Sequence, residues 1–144
     1  MLIWPTASDN LADTVERVHS WAYQRFIYVP DEARWSENFA SNGDHWETDA
    51  ELIEDMVHDG FLEGDCDAFA KLCWAALRRL SVASRLVTCR TETGGLHLVC
   101  EASGWVLDNR MVRAVPREEL ERLGYRWIAK SGFLPGGQWT TAGP

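Results

Sequence analysis

Apolar residues recur at three- and four-residue steps in two stretches of the chain. Shorter, strand-like apolar runs fill its second half. The first helical stretch is Leu11, Val15, Val18, Ala22 and Phe26. That spacing puts the side chains on one helix face. Asp9-Asn10 predicts the start of this helix, and Pro30 predicts its stop. Residues 30–46 are mixed and polar, with Asn42-Gly43 as a turn signal, and read as a loop that carries Trp35, Phe39 and Trp46 back onto the body. Thr48-x-x-Glu51 is a capping box. It predicts a helix carrying Leu52, Ile53, Met56 and Val57 that ends near Gly60.

The second strong stretch is Phe69, Leu72, Cys73, Ala76, Leu77 and Leu80, entered through Gly64-Asp65. Asp65 is the expected N-cap, because its carboxylate can accept from the free N–H groups of the first turn. Ser84 to Thr91 then reads as a strand and Glu92-Thr93-Gly94-Gly95 as a turn. Leu96 to Cys100 and Trp105 to Asn109 read as two more strands, joined at Ala102-Ser103-Gly104. Pro116 opens a short helix with Glu118 and Glu119 in its first turn and Gly124 after it; Tyr125 to Ala129 follows as a strand. Helices followed by an antiparallel sheet define an α+β class. The helix bearing Cys66 is expected on the sheet face that presents His97 and Asp108.

At 144 residues the chain reads as one domain, with residues 1–8 as an irregular lead-in and 131–144 as a loosely ordered tail or contact arm. Apolar residues make up 46%, enough for a proper core. No run approaches the length of a membrane-spanning helix. The N-terminus has neither a basic region nor a long apolar one, so the expectation is no signal peptide and a cytoplasmic location by default. A formal net charge of −8 argues against nucleic-acid and anionic-membrane partners.

The candidate chemistry centres on Cys66. It lies in the first turn of its helix, where the macrodipole favours thiolate over thiol. A nucleophile needs a base, and the base an orienting group. His97 and Asp108 are the downstream candidates. In an antiparallel hairpin with an even-length loop, paired positions sum to an odd number, and 97 and 108 do so. A two- or four-residue turn therefore puts His97 and Asp108 on one face, opposite or diagonal. An odd loop would separate them. Among the other histidines, His19 lies inside the first helix and His58 near a helix C-terminus, where the dipole explains it. His45, in the loop before the capping box, is the competitor for the role of base. Cys73, Cys89 and Cys100 read as buried reduced cysteines, and the lack of a Cys-x-x-Cys pair argues against a zinc site.

The segments Gly64-Asp65-Cys66-Asp67-Ala68-Phe69-Ala70, Leu96-His97-Leu98-Val99-Cys100 and Trp105-Val106-Leu107-Asp108-Asn109-Arg110 resemble the bacterial transglutaminase-like cysteine proteinases. The upstream segment from Gly43 to Ile53 is similar to that family's Asp-aromatic-Trp segment. The resemblance covers roughly residues 15–113. It implies a papain/transglutaminase-like core and a thiol peptidase or amidase acting on a protein or peptide. In that reading Cys66 is the nucleophile, His97 the base, Asp108 the orienter, and the intermediate a thioacyl enzyme. The backbone N–H of Cys66 is an oxyanion donor; Trp46 is a second source by resemblance, although a core Trp is the commoner reading. Asn109 is assigned no role.

No cofactor is expected to be required. Some relatives bind calcium through acids flanking the nucleophile. Here Asp65 and Asp67 are kept, Ala68 replaces a third acid, and helix capping suffices to explain the two. Two alternatives share the resemblance. One is a transglutaminase-type acyltransferase. The other is a phage virion component, in the tail or in assembly, that would be virion-associated and bind a protein assembly partner. Its contact surface would draw on the chain's eight tryptophans.

Overall fold

The computed structural model describes residues 3–28, 57–58, 61–64 and 66–141. Asp65, the loop over 30–46 with His45 and Trp46, and the Thr48-x-x-Glu51 capping box lie outside them.

Helix α1 spans Leu11–Arg25, and the Asn10 side chain caps it by accepting from the Asp13 N–H at 2.7 Å. The helix does not continue to Pro30. Phe26 leaves it in an extended conformation, and strand β1 (Phe26–Tyr28) pairs in parallel with β3 (Phe61–Gly64). Strand β2 (Val57–His58) pairs antiparallel with the other edge of β3. Val57 and His58, expected in the last turn of a helix, are therefore strand residues. Strand pairing has overridden local propensity at both places, with a distant partner for β1 and a neighbouring one for β2.

Helix α2 spans Cys66–Arg79, with Phe69, Leu72, Cys73, Ala76 and Leu77 buried as its spacing requires. Strands β4 (Arg85–Arg90), β5 (Leu96–Ala102), β6 (Trp105–Leu107) and β7 (Val115–Pro116) follow. Helix α3 (Arg117–Leu123) comes next, and then β8 (Arg126–Lys130) and β9 (Thr140–Thr141). The six strands form one antiparallel sheet in the order β7-β6-β5-β4-β8-β9. The fold is α+β, as the pattern predicts. The tail is less loose than expected: Thr140 and Thr141 pair with β8, and Trp139 packs against the main core.

Strand alternation divides the sheet into two faces. Leu86, Leu98, Cys100, Ala102 and Leu107 face α1 and α2 and close the main core with Val15, Val18, Phe69, Leu72 and Leu77. Val87, Cys89, Val99 and Val106 face the other way, where Leu120 and Tyr125 cover them. The first face carries the larger share of burial, at ~1.5–3 kcal/mol for each large apolar side chain removed from water. Among the described residues no helix is long and apolar enough to cross a membrane.

Candidate active site

Ser103 and Gly104 make the two-residue turn between β5 and β6, with φ of 49° and 87°. Both central residues are left-handed, as a type I′ turn requires, and its twist matches the strands it joins. The loop is even. Cys100 pairs with Leu107 and Glu101 with Val106, so Asp108 falls on the parity of Val106 and shares a face with Val99 and His97. The two candidates meet: His97 Nε2 lies 2.6 Å from Asp108 Oδ1. Both side chains are buried, that of Asp108 completely.

This pairing corrects one expectation. Helix α2 packs on the face of Leu98 and Cys100, whereas His97 belongs by alternation with Val99 and stands edge-on to Tyr125, with ring centroids 6.2 Å apart. Residues 80–84 join α2 to β4, whose Cys89 opposes His97. Cys66 opens α2 and is itself buried. The first turn of α2 is tied to the pair through Phe69. Its ring meets His19 edge-on at 5.6 Å, and His19 Nε2 lies 3.0 Å from the Asp108 carbonyl oxygen.

Asp108 holds its position through a local turn. Its carbonyl accepts from the Met111 N–H at 3.0 Å, and its Oδ1 accepts from the Arg110 N–H at 2.9 Å. An aspartate side chain bonding two residues ahead is an Asx-turn, which explains Asp-Asn-Arg after a strand. Oδ2 accepts from the Tyr125 hydroxyl at 2.7 Å. Burial works against the charged carboxylate. Hydrogen bonds from His97, Arg110 and Tyr125, with the attraction of His97, outweigh it and hold the carboxyl below its usual range.

The Tyr125 hydroxyl accepts in turn from Arg110 Nη1 at 2.7 Å, and Arg110 Nη2 donates to Glu92. Tyr125 owes its place to Gly124, which ends α3 at φ 118° while the Tyr125 N–H bonds the Leu120 carbonyl at 2.9 Å.

Sequence reasoning assigned none of this support. In the sequence Arg110 belongs to the Asp108 motif without a role, Tyr125 reads as the first residue of a strand, and His19 as a residue inside the first helix. His19 did leave a signal: with Val15, Val18 and Ala22 it completes an i, i+3, i+4, i+7 apolar face. It is fully buried, and burial lowers its pKa. A carbonyl can only accept, so Nε2 carries the proton and Nδ1 is left without a partner.

All four cysteines are buried and none is in a disulfide. Burial pushes the thiols of Cys73, Cys89 and Cys100 well above the ordinary range. Asp67, a candidate calcium ligand, is buried with an oxygen 3.3 Å from Lys71 Nζ, and among the described residues no group of three acids, histidines or cysteines could hold a metal ion.

The architecture is that of a transglutaminase-like fold. It is shared with LapG of Legionella pneumophila, at 20% sequence identity and a TM-score of 0.63 over 89% of this chain and 67% of that one. The EGTA-treated form of LapG matches at 19% identity and 0.64, covering 90% and 66% of the two chains. Its calcium-bound form matches at 21% and 0.61, covering 89% and 67%. The chain thus spans about two thirds of LapG's length. No protein-family model matches the sequence. No curated protein matches it either.

Proposed function

We propose that this protein is a thiol peptidase or amidase in which Cys66, His97 and Asp108 form a catalytic triad acting on a protein or peptide amide. One observation carries the reading: His97 gives Nε2 to Asp108 at 2.6 Å, which turns Nδ1 to the other side of the ring. A general base oriented in this way is what a cysteine nucleophile requires. The likeness to LapG, a transglutaminase-like cysteine protease, supports the same reaction class.

In this mechanism His97 Nδ1 takes the Cys66 proton, and the thiolate attacks the carbonyl carbon. The C–N bond breaks as His97 returns the proton to the leaving amine. Water then attacks the thioester, with His97 again as base, and the carboxylic acid leaves. Asp108 holds the imidazole tautomer and stabilises its charged form throughout. The backbone N–H of Cys66 serves as an oxyanion donor in this reading. The chemistry needs no cofactor.

The test is the rate of Cys66 alkylation by iodoacetamide between pH 5 and 9, read by peptide mass, in wild type and His97→Ala. The expected result is fast reaction of Cys66 near pH 6 in wild type. In the variant the reactivity should move to that of a free thiol, with a pKa of about 8.5. Equal rates in the two proteins would sink the triad and leave the interaction-module reading in its place.

A further inference from the structure

The bonds around Asp108 have a fixed direction. A guanidinium can only donate. Arg110 Nη1 lies 2.7 Å from Tyr125 Oη, so the hydroxyl accepts there and has one proton to give, to Asp108 Oδ2 at 2.7 Å. One phenol therefore stands between a cation and a buried carboxylate. We infer that Tyr125 is a positioning residue of the candidate site: its hydroxyl keeps Asp108 turned toward His97 by separating that carboxylate from the Arg110 guanidinium. The kinetic consequence rests on the triad reading above; the geometry of His97 and Asp108 does not.

Guanidinium and carboxylate make strong bidentate pairs when they meet directly. Asp108 Oδ1 already accepts from His97 and the Arg110 N–H. A direct pair with the Arg110 side chain would turn the carboxylate away from His97 Nε2. Three features hold the phenol against this. Glu92 anchors the far side of the guanidinium, whose carbon lies 5.6 Å from the Tyr125 ring centre. The tight helix end at Gly124 sets where Tyr125 leaves α3, and a Cβ there would stand 3.1 Å from Glu92 Cβ. Burial and the Asp108 charge raise the phenol's pKa, so it stays a donor at every working pH. On the other side of Asp108, His19 from α1 touches only the main-chain carbonyl and does not compete for the carboxylate.

The experiment uses the full chain as wild type, Tyr125→Phe and Tyr125→Phe/Arg110→Gln. Three quantities are read: the His97 ring tautomer by ¹⁵N NMR, the Cys66 alkylation rate at pH 6, and the melting temperature. Tyr125→Phe is expected to replace a single Nε2–H tautomer by a mixture and to slow alkylation roughly tenfold, the scale of losing one buried hydrogen-bond partner. Removing the freed guanidinium in the double variant should recover most of that loss. In wild type the Tyr125 hydroxyl proton should appear as a slowly exchanging resonance in contact with the His97 ring.

A lower melting temperature with tautomer and rate unchanged would make Tyr125 a core residue only and overturn the inference. So would a double variant no better than the single, or no protected hydroxyl proton in wild type. If wild-type Cys66 reacts no faster than a free thiol while the His97 tautomer still shifts in Tyr125→Phe, the triad reading falls and the positioning role stands.

Discussion

His19 Nε2 lies 3.0 Å from the main-chain oxygen of Asp108, 89 residues further along the chain. This contact ties α1 to the turn that holds the candidate orienter, and the same ring packs edge-on against Phe69 in the first turn of α2. One buried histidine thus links the helix that carries Cys66 to the backbone that carries Asp108.

That link has a pH signature. Burial keeps folded His19 neutral where the unfolded chain still binds a proton, with its usual pKa of about 6.5. The unfolded state therefore gains protons first as pH falls. The His19 contribution is complete above about pH 6.5 and is lost as pH drops below it, toward the lowered folded value. Urea midpoints of wild type should fall between pH 7 and 5.5. His19→Gln should be less stable at pH 7, by ~1–3 kcal/mol for the disturbed contact, and should lose less on acidification. A parallel fall in both proteins would show that His19 does not titrate as its burial requires.

Asp108→Asn keeps the shape and removes the charge. His97, the Arg110 N–H and Tyr125 would then present donors to a group with one acceptor oxygen. The expected cost is ~3 kcal/mol in chemical denaturation, as for breaking other buried charged pairs. The folded carboxyl is held low, so its contribution is present above the usual carboxylate pKa of about 3.9 and disappears as pH falls through the folded value. Wild type should lose this margin below about pH 4, whereas the Asn variant has none to lose.

Only Cys66 should be alkylated in the folded protein at neutral pH. Cys73, Cys89 and Cys100 are fully buried, with thiols pushed toward the protonated form. Peptide mass after a short iodoacetamide pulse checks this, and all four should be modified in denaturant. Modification of Cys89 or Cys100 in the native protein would mean that the sheet opens more readily than its packing indicates.

The β5–β6 turn should accept Ser103→Asn as a stabilising change. Ser103 has φ 49°, and Asn tolerates the left-handed region better than Ser at the first centre of a type I′ turn. A gain of ~0.5 kcal/mol is expected. Gly124→Ala should do the reverse. It places a Cβ at φ 118° and 3.1 Å from Glu92 Cβ, at ~1–2 kcal/mol, and should loosen the Glu92–Arg110 contact. Thermal melts of the two variants should move in opposite directions.

The sequence by itself determined the elements whose periodicity is local. Val15, Val18 and Ala22 define α1, Phe69 through Leu77 define α2, and strand alternation makes His97 and Asp108 share a face on the one condition that their turn is even, which the structure meets at Ser103-Gly104. Side-chain alternation and helical period are properties of short segments, so these survive folding unchanged. The tertiary structure decided what depends on distant partners. Phe26 carries helical spacing, yet it is a strand residue because β3 offers it backbone pairing. It also decided which sheet face α2 covers, and it set His19, Arg110 and Tyr125 around Asp108. The Arg110 N–H contact is a local turn, but no local pattern encodes those of His19 and Tyr125. A buried carboxylate must find its donors wherever the folded chain brings them, and here they come from a strand, a turn and the end of a helix.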